Sequence, residues 1–214
     1  MDNKQLQDMR RDYASRSLLE SSIASDPVAQ FSTWMDEAIN SEVIDANAMT
    51  VSTVDEMGRP SSRVVLLKGF DHDGFIFFTN YLSNKTADLD SNPNIALHFF
   101  WPDLQRQVAL NGTAAKTSRE VSEAYFATRP VESQIGAWAS KQSSVLSDRQ
   151  ELEDSVAETR ARFAGQTIPC PPFWGGFCVT PRRFEFWQGG TNRLHDRICY
   201  TLESETWRIL RLSP

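Results

Sequence analysis

The sequence predicts a β-rich α+β fold. Three observations carry that expectation. Apolar stretches of strand length recur through the middle and the C-terminal part, turn residues separate them, and several helix-like segments open on capping patterns. Short strands at this spacing point to a barrel or a sandwich.

In chain order, residues 27–39 begin at a proline and place Val28, Phe31, Met35, Ala38 and Ile39 near one helical face. Residues 48–54 form the first strand. A turn over Asp55-Glu56-Met57-Gly58-Arg59-Pro60 leads into an apolar strand at 63–68, and Asp71-His72-Asp73-Gly74 turns the chain into a strand at 75–79. Ser83-Asn84-Lys85-Thr86 precedes a helix-like stretch that Asn92-Pro93 stops, and strands are expected at 95–101 and 106–114. Thr117 with Glu120 forms a capping-box pattern ahead of a helix to residue 128, and Pro130 starts a short helix through Trp138. Ser147 with Gln150 opens a charged helix that Gly165 ends. Its Arg149–Glu153 and Glu158–Arg162 pairs have the spacing of a solvated face. The remaining strands are expected at 177–179, 183–187, 198–202 and 207–211.

Composition narrows the function. The 214 residues fit one large domain or two small ones. Lys and Arg total 22 against 28 Asp and Glu, a net charge of −6, and no basic stripe marks a nucleic-acid surface. The opening MDNKQLQDMRRDY is polar, so no secretory signal is expected, and the run Val64-Val65-Leu66-Leu67 is far too short to span a bilayer. Three cysteines (Cys170, Cys178 and Cys199) form no Cys-x-x-Cys pair, which suits a reducing, cytoplasmic location. His72, His98 and His195 lack metal-ligand spacing, so no metal is expected. There is no glycine-rich dinucleotide fingerprint, P-loop or nucleophile elbow. A nucleotide-like cofactor would therefore have its phosphate held by side chains.

Four segments are candidates for that work. Arg63 and Lys68 bracket an apolar strand, but on an ideal strand they point to opposite faces, so a shared site requires a bulge or a turn at the strand end. Ser83-Asn84-Lys85-Thr86 reads equally as an anion cradle or as simple N-capping. Tyr125, Arg129 and Ser133 recur every four residues, and a break at Pro130 would swing Ser133 toward the other two. A phosphate grip and a plain helix end with a dipole-complementing arginine both fit. The densest polar cluster is Trp187-Gln-Gly-Gly-Thr-Asn-Arg193-Leu194-His195-Asp-Arg197. In an extended chain Arg193 and His195 would face one ligand.

Taken in order, these segments resemble the pyridoxamine 5′-phosphate oxidase family. The match runs from Arg10-Arg11-Asp12-Tyr13 through RVVLLK, FFTN, RQV, YFATRP, SQIGAWASKQSS, FWGGF, FEFWQGG and RLHDR to RLSP. The ordered set is specific where no single piece is. The resemblance implies an FMN-binding split β-barrel with peripheral helices, one domain over 1–214, acting as a homodimer with FMN at the subunit interface. It implies that Arg63, Lys85 and Ser143 hold the FMN phosphate, with Asn84 beside them. Val64, Val65, Leu66, Leu67, Lys68, Phe78, Thr79, Gln107, Gln142, Trp187 and Arg197 would surround the rest of the cofactor, some from the partner chain. Lys68, Tyr125, Arg129 and Ser133 would hold a substrate phosphate, with Arg193, Leu194 and His195 at its ring and Arg193 and His195 acting in catalysis. Residues 1–25, with Arg10–Tyr13, would form a flexible lid, and strands over 170–214 would complete the site. Where the family usually has Arg-Lys after the serine, this chain has Asn84-Lys85. That exchanges a charge-assisted bond for a neutral one, worth ~1–2 kcal/mol of FMN binding.

The implied reaction oxidises pyridoxamine 5′-phosphate or pyridoxine 5′-phosphate to pyridoxal 5′-phosphate. A hydride equivalent passes from C4′ to the flavin, and dioxygen then becomes hydrogen peroxide. The flavin supplies the redox chemistry while the protein supplies position and electrostatics. Two rival readings are a related barrel oxidase acting on another ring, of the phenazine-pathway type, and a non-catalytic flavin or pyridoxal-phosphate carrier. Lys68, Tyr125, Arg129 and Ser133 together argue for a phosphorylated substrate, and Arg193 with His195 argues against a mere carrier.

Overall fold

The computed structural model describes residues 17–214 together with Lys4 and Gln7, so the expected Arg10–Tyr13 lid lies outside the described residues. The described chain is β-rich α+β, as the turn-punctuated strand pattern predicts. Its helices are α1 (Pro27–Asn40), α2 (Asn84–Ser91), α3 (Arg119–Thr128), α4 (Val131–Ala139) and α5 (Arg149–Arg162). Its strands are β1 (Ala48–Val54), β2 (Pro60–Leu66), β3 (Gly69–Phe70), β4 (Phe75–Asn80), β5 (Asn94–Trp101), β6 (Arg106–Lys116), β7 (Trp174–Gln188), β8 (Asp196–Glu203) and β9 (Thr206–Leu212). They form one nine-stranded sheet in the order β2-β1-β5-β6-β7-β4-β3, with β8 pairing β7 and β9. β4 runs antiparallel to the first half of β7, and β8 to its second half.

Contacts divide the described residues into two compact units: those within 1–49, 97–111 and 182–214, and those within 50–96 and 112–181. The first unit is built on aromatic packing. α1 places Phe31 5.0 Å from Phe99 and Trp34 edge-on to Phe186 at 5.3 Å, and Phe186 meets Tyr200 at 5.5 Å. Ile39, expected on the buried face of α1, is 57% exposed, because Trp34 takes part in that face instead. In the second unit Phe77 stacks on Phe177 at 5.7 Å, and a further cluster gathers Phe126, Ile135, Ile168, Cys170 and Trp174. β1 alternates between buried and half-buried positions, as a strand with one core face must. β2 has no fully buried residue and leaves Val64 and Leu66 exposed at the sheet edge.

Three local expectations shift. The two strands expected at 177–179 and 183–187 are one, β7, which passes through Pro181. The β4 ladder ends at Val179 and the β8 ladder starts at Arg183, so neither requires an N–H from the proline. The cap of α3 is Ser118, whose side chain accepts from the Val121 N–H, while Thr117 binds the Gly176 carbonyl through its own N–H and hydroxyl. α5 is capped by Asp148, and Glu151 rather than Gln150 reaches back, accepting from the N–H and hydroxyl of Ser147.

Candidate active site

The parity conflict between Arg63 and Lys68 resolves at the end of β2. The strand stops at Leu66, and Lys68 re-enters the backbone network through a bond from its N–H to the Ile76 carbonyl, 2.8 Å. Both side chains then line one cavity of about 830 Å³, lying wholly in the second unit. Val64, Val65, Leu66, Phe78, Thr79, Lys85, Tyr125, Arg129, Ser133 and Gln142 line it too, joined by Asn80, Thr128 and Trp174. Among the described residues four cations (Arg63, Lys68, Lys85 and Arg129) face it, and no carboxylate lines it.

One group of cations lies at the start of α2. The Lys85 ammonium is buried and donates to Thr79 Oγ1 at 2.8 Å, Ser83 Oγ at 2.9 Å and Gln142 Oε1 at 2.9 Å, all neutral oxygens. Burial, and then the neighbouring Arg63 guanidinium, push its pKa down to about 8. Arg63 is anchored by Thr53 Oγ1 and Ser61 Oγ, each at 2.7 Å, and burial lowers its pKa as well. Asn84 and Ser143 stand outside the lining but adjoin each other: the Asn84 N–H donates to Ser143 Oγ at 3.4 Å. Ser143 adopts φ 72°, and Gln142 Oε1 accepts from Thr79, so the loop after α4 is tied to β4 next to Lys85. Leu67 is buried in the core and does not line the cavity.

The second group centres on Arg129, the residue that ends α3. Its guanidinium lies 4.8 Å above the Trp174 ring and 5.6 Å from that of Phe126, and burial lowers its pKa. Its Nη1 is buried with no hydrogen-bond partner among the described residues. An orphaned cationic donor costs free energy unless a ligand satisfies it, so this atom fits a bound anion. Phe78 stacks on Tyr125 at 4.1 Å and on Trp174 at 5.3 Å, giving an aromatic wall beside Arg129. Gly176 makes room for that wall, since a Cβ there would sit 2.9 Å from Phe78 Cε1. Trp174 had no assigned role from sequence, although an aromatic residue directly before a glycine pair was a usable signal.

Gln107, Trp187, Arg193, Leu194, His195 and Arg197 belong to the first unit and are absent from the lining. Gln107 Oε1 lies 3.0 Å from His98 Nε2. Arg197 is held by Glu185 at 2.8 Å through Nε and by the Ser213 carbonyl at 2.8 Å through Nη1. Residues 191–193 form a 3₁₀ turn, so the extended chain that would set Arg193 and His195 toward one ligand does not form, because Asn192 and Arg193 take left-handed φ values of 54° and 63°. Gly190 permits that turn: a side chain there would collide with the Leu194 carbonyl. The His195 ring lies 4.6 Å from Trp187, and its Nδ1 accepts from the Gly190 N–H at 3.1 Å. Burial, with Arg193 nearby, lowers the His195 pKa, so the ring is neutral near pH 7 with its hydrogen on Nε2. Among the described residues no group of three or more His, Cys, Asp or Glu could hold a metal, and no helix is long and apolar enough to cross a membrane.

Comparison with known proteins is consistent across the chain. The family described as pyridoxamine 5′-phosphate oxidase matches residues 35–163, and the pyridoxine 5′-phosphate oxidase C-terminal dimerisation region matches residues 174–214. A pyridoxine/pyridoxamine 5′-phosphate oxidase of Rubrobacter xylanophilus is 50% identical over 211 residues, covering 99% of this chain and 97% of the relative. PhzG from Burkholderia lata, solved with tetrahydrophenazine-1-carboxylic acid, superposes with TM-score 0.87 at 28% identity, covering 92% of this chain and 98% of that one. A pyridoxamine 5′-phosphate oxidase-related, FMN-binding protein from Nostoc punctiforme shares the fold at TM-score 0.71 and 15% identity, covering 90% of this chain and 100% of that one.

Proposed function

Because the chain belongs to the pyridoxamine 5′-phosphate oxidase family of flavin-dependent oxidoreductases and has its split β-barrel fold, we propose that it oxidises pyridoxamine 5′-phosphate and pyridoxine 5′-phosphate to pyridoxal 5′-phosphate. The amine, dioxygen and water give the aldehyde, ammonia and hydrogen peroxide; the alcohol and dioxygen give the aldehyde and hydrogen peroxide. The observation that carries this reading is the cavity, which among the described residues has four cations, no carboxylate in its lining and an unsatisfied guanidinium nitrogen on Arg129. Such a wall suits two phosphates.

The donor set fits FMN at the α2 end. Arg63, Lys85, Ser143 and the Asn84 N–H would hold its phosphate, and residues 64–68 with Phe78, Thr79 and Gln142 would border the rest. Bound FMN supplies the two-electron acceptor for a hydride from the substrate's C4′ carbon, and dioxygen carries the electrons away as hydrogen peroxide. Arg129, Tyr125, Ser133 and Lys68 grip the substrate phosphate and so fix where C4′ sits, which turns remote binding energy into orientation. Arg193 and His195 act on the substrate ring. A neutral His195 whose Nδ1 already accepts a hydrogen bond orients the substrate rather than removing its proton. The protein acts as a homodimer in the cytoplasm. The exposed edge strand β2, with Val64 and Leu66, and the C-terminal dimerisation region support a second copy that brings Gln107, Trp187, Arg193, His195 and Arg197 to the cavity.

The likeness to PhzG favours one rival, a ring substrate without phosphate. Steady-state peroxide release separates the two. Pyridoxamine 5′-phosphate should support turnover, and removal of its phosphate should abolish it. Turnover of a phenazine precursor alone would support the rival.

Asn84 offers a smaller test of the cofactor end. Asn84→Arg is expected to lower the FMN dissociation constant about fivefold, the worth of ~1 kcal/mol from a charge-assisted bond, with turnover at saturating FMN nearly unchanged. Weaker FMN binding, or a large change in turnover, would show that position 84 faces something else.

A further inference from the structure

We propose that Asp88 is a positioning residue of the cofactor-phosphate site: it orients the hydroxyls of Thr53 and Ser61, and through them the guanidinium of Arg63. The proposal rests on the FMN reading above and extends it to a residue outside the cavity wall.

The geometry is a closed ring. Arg63 donates from Nη1 to Thr53 Oγ1 and from Nη2 to Ser61 Oγ, both at 2.7 Å. Each hydroxyl, having accepted from the arginine, turns its own hydrogen to the same atom. Asp88 Oδ2 lies 2.5 Å from Thr53 Oγ1 and 3.1 Å from Ser61 Oγ. Arg63 Nη2 stands 3.9 Å from that oxygen, so the carboxylate acts on the guanidinium mainly through the two hydroxyls. Thr53 is fully buried and the Asp88 side chain is 13% exposed, so water competes little with the ring.

The ring has a consequence for ligand binding. Of the five N–H groups of a guanidinium, Nε–H and one hydrogen on Nη2 are left for a ligand once Thr53, Ser61 and the Val51 carbonyl, 3.4 Å from Nη1, are served. Arg63 and Lys85 also repel each other in the absence of an anion, which adds to the larger effect of burial in lowering the Lys85 pKa, and Asp88 opposes that repulsion at Arg63. Lys85 and Asp88 are three residues apart on α2, so a single helical turn carries one phosphate cation and the anchor of the other. A guanidinium fixed before the ligand arrives loses less freedom on binding.

Selectivity for the phosphate distinguishes positioning from mere stapling of the fold. Flavin fluorescence titration of the apoprotein gives dissociation constants for FMN and for riboflavin, which lacks the phosphate. Asp88→Ala is expected to weaken FMN about tenfold and to leave riboflavin unchanged, and to add nothing for FMN in an Arg63→Ala background. Asp88→Asn and Thr53→Val, milder in packing, should lower the FMN-to-riboflavin preference in the same direction. Equal weakening of both flavins, or full effects of Asp88→Ala without Arg63, would overturn the proposal. Unchanged FMN binding in the Asp88 variants, with FMN lost in Arg63→Ala, would overturn it too while leaving the site reading intact. A wild-type protein with no preference for FMN over riboflavin would instead overturn the site reading itself.

Discussion

Arg129→Ala is expected to raise KM for pyridoxamine 5′-phosphate roughly a hundredfold at saturating FMN, with a much smaller fall in kcat. A buried guanidinium with an unpaired Nη1 is poised to donate charge-assisted bonds, and ~2–3 kcal/mol of such bonding corresponds to about that factor. The phosphate is remote from the bond being oxidised, so the contact holds substrate and transition state alike, and a uniform contact shows itself in KM. Arg193→Ala is expected to differ, lowering kcat as well as weakening binding, because the proposed function puts that residue against the ring where charge changes. Steady-state peroxide release on both variants provides the comparison. If Arg193→Ala keeps the wild-type kcat while Arg129→Ala loses most of it, the assigned roles are reversed.

Lys85→Met is expected to weaken FMN on the order of a hundredfold, as a buried cation contacting phosphate should. The wild-type protein should show a matching pH dependence. With its pKa near 8, the Lys85 ammonium loses its proton in the apoprotein as pH rises through that value, and an anion then meets a neutral amine. FMN affinity should therefore fall from pH 8 upward, with proton uptake on binding, and Lys85→Met should flatten the profile. Among the described residues the facing groups are the Arg63 guanidinium and the neutral Thr79, Ser83 and Gln142, which leaves Lys85 as the group that titrates there. Apoprotein stability should move the other way. Between about 8 and the ordinary 10.5 the folded chain binds fewer protons at this site than the unfolded chain, so stability rises with pH. An FMN dissociation constant unchanged from pH 7 to 9.5 in the wild type would contradict this role for Lys85.

Local signals in the sequence singled out many of the residues that line the cavity. Tyr125, Arg129 and Ser133 were legible as a group through their four-residue spacing, which fitted a helix end equally well, and the three do line one cavity. Arg63 and Lys68 were half legible: periodicity put them on opposite faces, and only the end of β2 at Leu66 brings them together. The turn at 191–193 was not legible, since nothing in one-dimensional pattern reveals that Asn192 and Arg193 both adopt left-handed φ values. Asp88 was invisible from sequence. Its link to Thr53 spans 35 residues and depends on how β1, β2 and α2 pack.

The most direct test of the account mixes the FMN-loaded protein, free of oxygen, with pyridoxamine 5′-phosphate and follows the flavin absorbance. Bleaching of the oxidised flavin is expected, with one pyridoxal 5′-phosphate formed per flavin, and admission of oxygen should restore the colour. Pyridoxamine without its phosphate should leave the flavin oxidised over the same interval. A flavin that stays oxidised with the phosphorylated amine, or that bleaches equally with the dephosphorylated one, would contradict the assignment of the cavity to a phosphate-anchored oxidation.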